Sequence, residues 1–153
     1  MELRAVNMHK RILVPLDGST LAERALPHAL DIARYSDGAL HLVRVALAQI
    51  YVASKGGADL YPHEVLQQDR EEAETYLEAI RSECQVKGAA ATAEVLAGAV
   101  AESIVDYARD NQIDLIVMST HGRSGLSRWV YGSVAEKGLR GAHCPTLIVR
   151  GES

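Results

Sequence analysis

The sequence predicts an α/β fold, an open sheet of parallel strands with helices packed against it. Two observations carry that prediction. Short apolar runs recur along the chain with helix-period segments between them, so strands and helices alternate as βαβ units with right-handed crossovers. One run, LIVMS at 115–119, is apolar almost throughout, the pattern of a strand buried on both faces.

The elements follow in order. RILVPL (11–16) is the first strand, stopped by Asp17-Gly18-Ser19. Ala22, Ala25, Leu26, Ala29, Ile32 and Ala33 then recur at helical spacing. Thr20 and Glu23 form a capping-box pair ahead of them, and Gly38 stands where the helix should end. ALHLVRV (39–45) is the second strand, and Ala46 to Glu64, with Gly56-Gly57 and Pro62, is a long connection. Val65 to Lys87 predicts a charged helix with Leu66, Ala73, Leu77, Ile80 and Cys84 on one face. ATAEVL (91–96) alternates and is expected to be a more exposed third strand. Gly98 to Asn111 predicts a helix with Ile104 and Ala108 inward and Glu102, Asp106 and Asp110 outward. LIVMS is the fourth strand, Ser133 to Ala142 a helix, and PTLIVR (145–150) the fifth strand.

Composition narrows the functional classes. A chain of 153 residues is one domain by size, able to bury roughly 70% of the surface it exposes unfolded. Residues 1–9 are expected to form a flexible leader and 10–151 the domain. A net charge of −4 argues against a nucleic-acid partner, which would need a basic face. The two cysteines, Cys84 and Cys144, form no CxxC pair, so neither a disulfide framework nor a zinc site is expected. With no signal-type apolar segment in MELRAVNMHK and no run near the ~20 residues of a membrane helix, a cytoplasmic location is expected.

Chemistry concentrates at two strand ends. In parallel sheets ligands bind beyond the carboxyl ends, at the switch point of strand order. Asp17-Gly18 follows the first strand, and THGRSGLSRWVYGS (120–133) follows the fourth. A connection that only turns a corner needs about two to six residues; this one is longer and rich in glycine, hydroxyl groups and arginine. Gly122, Gly125 and Gly132 let a backbone close on an anion, and a helix opening at Gly132-Ser133 would add unpaired N–H groups. Each glycine also serves as a plain turn residue, and Ser133 with Glu136 makes a second capping-box pair that competes for the same hydroxyl. Arg123 and Arg128 can pair with phosphates or stay solvated. Asp17 can accept from a ribose hydroxyl or a base amino group, or cap the following helix.

Other chemistries are weaker. Neither GxxxxGK[ST] nor GxGxxG occurs, the six histidines show no metal-ligand spacing, and His121 near Ser124 and Ser133 lacks a GxSxG elbow. Tyr76, Tyr107 and Trp129 are expected to pack rather than to stack on a ligand.

RILVPLDGS, STHGRSGLSRWVYGSVAEK and CPTLIVR, in that order from about Lys10 to Arg150, resemble the universal stress protein family. Its nucleotide-binding branch carries a glycine, two residues, a glycine, nine residues, then Gly-Ser or Gly-Thr. Gly122, Gly132 and Ser133 fit that pattern, while Ser119 stands where its first glycine falls. The resemblance implies a Rossmann-like open sheet of five parallel strands, order 3-2-1-4-5, with helices on both faces. It further implies ATP as ligand, with AMP and cyclic AMP as alternatives and Mg2+ carried by the phosphates. Pro15, Leu16, Asp17 and Val45 would lie near the nucleoside, with Met118, Ser119 and His121 beside it. Gly122, Gly132, Ser133 and Val134 would hold the phosphates, and Arg123 and Gly125 of the same loop join the candidate nucleotide-binding residues. A homodimer through the last strand, Thr146 to Arg150, is implied too, acting on an unidentified protein partner without membrane or nucleic acid. The expected role is regulatory, a stress-response protein rather than an enzyme. The competing readings are a slow ATPase or self-phosphorylating protein using Ser124 or Ser133, and a nucleotide-free dimeric interaction protein.

Overall fold

The computed structural model describes residues 8–46, 63–121 and 140–151. Five parallel strands form one sheet: β1 (Arg11–Pro15), β2 (Ala39–Val45), β3 (Ala90–Leu96), β4 (Leu115–His121) and β5 (Thr146–Gly151), in the order β3-β2-β1-β4-β5. The helices are α1 (Thr20–Glu23), α2 (Ala25–Ser36), α3 (His63–Val86) and α4 (Val100–Asp110). Chain direction reverses across the sheet after β3, so α1 to α3 and α4 fall on opposite faces, as right-handed crossovers require.

Strand alternation divides the core accordingly. Ile12, Val14, Leu40, Leu42, Leu115 and Val117 pack with Ala29, Leu30, Leu77 and Ile80 of α2 and α3. Leu13, Val43 and Ile116 point the other way, onto Ile104, Tyr107 and Ala108 of α4. Residues i and i+2 thus share a layer throughout β1, β2 and β4.

Several local readings need correction. The cap of the first helix is Ser19, whose Oγ accepts from Ala22 N–H, and not Thr20. The expected single helix is broken at Arg24 into α1 and α2. Pro27 accounts for the break, since a continuous helix would drive its ring into the Glu23 carbonyl and leave that acceptor without an N–H. The left-handed residue ending α2 is Asp37 (φ 54°), not Gly38. Gly38 is needed for close approach: a Cβ there would stand 2.5 Å from the His9 carbonyl oxygen. β4 continues two residues beyond the apolar run, because Thr120 and His121 pair in register with Arg150 and Gly151. The sequence pattern loses apolar character at Ser119, but the backbone ladder does not.

The third strand is at the sheet edge and half-exposed along its length, as its alternation predicted. Helix α3 buries Ala73, Leu77, Ile80 and Cys84. Its outer face carries short-range pairs such as Arg70 with Glu74 at 3.0 Å, worth a few tenths of a kcal/mol each. The expected helix from Ser133 lies outside the described residues apart from a helical end at Arg140-Gly141. No helix of the described residues is long and apolar enough to cross a membrane.

One polar pair sits inside the α4 layer. His41, 7% exposed, has Nδ1 3.1 Å from the Tyr107 hydroxyl, with the rings edge to face. A neutral ring protonated at Nε2 accepts that hydroxyl at Nδ1. Burial, aided by the nearby Arg11 charge and opposed by Asp114, holds the His41 pKa below its ordinary 6.5. Between the folded pKa and 6.5 the unfolded chain therefore binds a proton that the folded chain refuses. The stability is complete above pH 6.5 and falls as pH drops through that window. Thermal unfolding from pH 7.5 to 5 is expected to show this acid loss, and His41→Gln, which keeps an acceptor for Tyr107 but cannot titrate, should flatten the slope.

Candidate functional site

The carboxyl edge of the sheet is built around the seam between β1 and β4, the switch point of strand order. Their ladder is registered only at Ile12↔Leu115 and Leu13↔Ile116, whereas β4 and β5 pair continuously from Ile116↔Thr146 to His121↔Gly151. Pro15 explains why the seam stops. Leu16 N–H donates to Val43 of β2, so by alternation the residue before it is aimed at β4. Proline has no N–H to give there. The ladder between the two strands thus forms below Pro15 and stops there, at the switch point where ligands bind in open α/β sheets.

The described candidate residues converge on that end. Pro15 and Leu16 are buried at the close of β1, and Leu16 belongs to the α1–α3 core layer. Asp17 is exposed just beyond β1, with Oδ1 accepting from Ser19 N–H at 2.8 Å. This bond holds the turn that leads to the Ser19 cap, so Asp17 shapes the helix start without capping it. Val45 is the last residue of β2. Met118 is buried in β4, Ser119 follows it, and His121 ends the strand. Gly122, Arg123, Gly125, Gly132, Ser133 and Val134 lie outside the described residues.

Ser119 carries a distinctive feature. Its Oγ is buried and has no hydrogen-bond partner among the described residues. Alternation from Leu115 and Val117 aims it toward the α1 and α2 layer, and α1 packs against β4. An unpaired buried hydroxyl costs about 1–3 kcal/mol, so the position is not a neutral substitute for glycine.

The structure adds residues that sequence reasoning missed. The Arg44 guanidinium lies over the Tyr76 ring, 5.3 Å from its centroid. It also covers Gly18: a Cβ there would be 2.9 Å from Arg44 Nη1. Among the described residues no carboxylate forms an ion pair with Arg44. The Tyr76 hydroxyl is buried without a hydrogen-bond partner among the described residues. Burial first, then the neighbouring Glu23 and Asp17 carboxylates, push its pKa up against the opposing charge of Arg44. The signals were present in the sequence. Arg44 interrupts an apolar strand, and Tyr76 falls three residues after Ala73 and four before Ile80 on the buried stripe of α3.

Gly18 is held at φ +86°, where a side chain is strained whatever the space. Gly18→Ala is expected to cost about 1–3 kcal/mol in urea unfolding, most of it backbone strain. Displacing the guanidinium from Tyr76 would add about 0.5–1 kcal/mol. In an Arg44→Met background only that smaller part should disappear.

The universal stress protein family model matches residues 8–150. Universal stress protein MJ0531 of Methanocaldococcus jannaschii is 35% identical over 146 residues, covering 94% of this chain and 84% of that protein. The solved structure of MJ0577, from the same organism, superposes with a TM-score of 0.75 at 28% identity, covering 95% of this chain and 99% of the other. A universal stress protein from Archaeoglobus fulgidus, solved in complex with dAMP, shares the fold at a TM-score of 0.63 and 23% identity, over 92% of this chain and 98% of its own. With its strand order and a match over almost its whole length, this chain belongs to the universal stress protein family.

Proposed function

We propose that this chain is a homodimeric, adenine-nucleotide-binding regulatory protein of the stress response, holding ATP between the ends of β1 and β4. The observation that supports the reading is the β1–β4 ladder that stops short of Pro15 at the switch point, with Asp17 and Ser119 at the two strand ends beside it. Asp17 supplies an exposed carboxylate for ribose or base donors, and Ser119 a hydroxyl without a partner among the described residues. The glycine-bearing segment after His121 supplies backbone donors for the phosphates, with magnesium entering on the phosphates themselves. The dAMP complex of the Archaeoglobus fulgidus relative supports an adenine nucleotide as the class of ligand. In this reading the nucleotide is held rather than turned over. Donors that grip phosphates equally in ground and transition states do not raise kcat.

The dimer rests on β5. It pairs with β4 on one side only and ends the sheet, with Leu147 39% exposed on an apolar edge strand. Antiparallel pairing of Thr146 to Arg150 with a second copy would satisfy that edge.

Two measurements test the proposal. ATP with magnesium at a hundredfold excess over Kd is expected to stabilise the fold by about 2.7 kcal/mol, roughly 5 to 10 °C in Tm. Gly132→Val should abolish most of that shift by placing a branched side chain where the phosphates approach, and an unshifted wild type at millimolar ATP would sink the nucleotide reading. Sedimentation at tens of micromolar is expected to give twice the 16.6 kDa chain mass; a monomer would remove β5 pairing from the proposal.

A further inference from the structure

Arg44 stands where the interior of the sheet ends. Alternation from Leu40 and Leu42 puts it on the α1–α3 layer, one residue before β2 closes at Val45. A half-buried guanidinium needs partners, yet among the described residues no carboxylate forms an ion pair with it. Two surfaces receive it instead. One is the face of the Tyr76 ring on α3, 5.3 Å from Cζ to the centroid. The other is the backbone of Gly18. A Cβ there would stand 2.9 Å from Nη1, 3.3 Å from Cζ and 3.5 Å from Nη2, so the guanidinium fills the space a side chain would need. The Tyr76 hydroxyl has no partner among the described residues, so it is the face of the ring that serves this contact.

Gly18 belongs to the turn that carries Asp17. Asp17 Oδ1 accepts from Ser19 N–H at 2.8 Å, and Ser19 Oγ accepts from Ala22 N–H at 3.1 Å to cap α1. Oδ1 thus fixes the turn, which leaves Oδ2 of this exposed residue for another donor. An ion pair between Arg44 and Asp17 would have taken that acceptor. Resting the cation on a ring and on a glycine holds the turn and leaves the carboxylate open.

We propose that Arg44 is a positioning residue for the nucleotide: through its contacts with Tyr76 and Gly18 it latches the Asp17 turn to α3 and so aims the Asp17 carboxylate at the nucleoside. This rests on the nucleotide reading above and adds to it a dependence of Asp17 on the placing of α3. Arg44 touches no ligand in this scheme and acts through Asp17 alone. Lysine is no substitute, since an ammonium is a point charge that covers neither a ring nor a backbone plane.

Two measurements test this. Hydrogen exchange of the ligand-free protein over residues 16–24 is expected to quicken in Arg44→Met, which keeps the apolar stem without the cation, while β1 and β4 stay as protected as in wild type. Titration calorimetry with ATP and magnesium then closes a double-mutant cycle with Asp17→Ala. Arg44→Met should bind ATP about two- to fivefold more weakly when Asp17 is present, and should change nothing further in the Asp17→Ala background, where the group it positions is gone. Tyr76→Leu should repeat the loss, Tyr76→Phe should restore affinity by keeping the ring face, and Arg44→Lys should not restore it. Unchanged exchange across the turn in Arg44→Met would show that the arginine holds nothing there. An equal loss in both Asp17 backgrounds would show that it acts on the ligand or on the fold at large. Either result overturns the inference and leaves the nucleotide reading standing. If wild type binds no ATP, the nucleotide reading falls and takes this positioning role with it.

Discussion

The seam between β1 and β4 is the constraint on which the rest of the structure depends. At the amino end it is fastened by Asp114, whose Oδ2 accepts from the backbone N–H groups of Lys10 at 2.8 Å and Arg11 at 3.2 Å. The Asp114 N–H in turn donates to the Arg11 carbonyl, and Arg11 Nε donates to the Asn111 carbonyl at the end of α4. At the carboxyl end Pro15 withdraws the donor that would have continued the ladder. One carboxylate and one imino acid therefore decide that the β1–β4 ladder is fastened at one end and stops before the other. Reversal of chain direction at the same seam keeps the following helices off it, since β1 is left by α1 and α2 on one face and β4 is reached from α4 on the other. Topology and Pro15 together set where the β1–β4 ladder ends.

Around that strand end the charges are arranged locally rather than globally. The chain is acidic overall, with net charge −4, so long-range attraction does not bring an anion to it. What that end of the sheet offers instead is the guanidinium of Arg44, without a carboxylate partner among the described residues, laid over Gly18 and Tyr76. Asp17 and Glu23 lie close enough to Tyr76 to raise its pKa, yet neither bonds Arg44. The cation is thus spent on an aromatic face and a glycine turn. It braces the turn bearing Asp17 against α3, and it ties three elements together at a point where a single side chain could not be buried without a partner surface.

The sequence made the architecture legible because buried parallel strands write themselves as apolar runs. β2 was bounded to the residue, and the edge position of β3 was visible in the alternation of ATAEVL. Helix ends were harder. Ser19, Thr20 and Glu23 all suit a helix start, and the pattern alone cannot say that Ser19 caps while Pro27 splits the helix. The end of β4 was misjudged for a related reason: hydrophobicity reports side-chain burial, whereas strand length is set by backbone pairing with β5. Among site residues, those at strand ends were found because topology dictates where ligands bind. Arg44 and Tyr76 were missed because their role comes from contact between residues 32 positions apart in sequence, and one sequence cannot show which arginine meets which ring.

The two edges of the sheet face different problems, and the residues on them differ accordingly. β3 exposes Ala90, Thr92 and Glu94 in alternation, so its edge carries small or polar groups and a charge that opposes pairing with another strand. β5 reads TLIVRG, with Leu147 and Arg150 exposed and Ile148 and Val149 only partly buried. It carries no inward charge, proline or bulge-forming glycine within its apolar stretch to blunt the edge. The sheet thus has one border guarded by Thr92 and Glu94 and another left apolar. In the proposed homodimer that asymmetry would set the second copy beside β5, on the same side of the sheet as the β1–β4 switch point. Occupancy of the proposed nucleotide site and the geometry of such an edge would then share β4 as a common element, the strand that carries Ser119 on one side and its full register with β5 on the other.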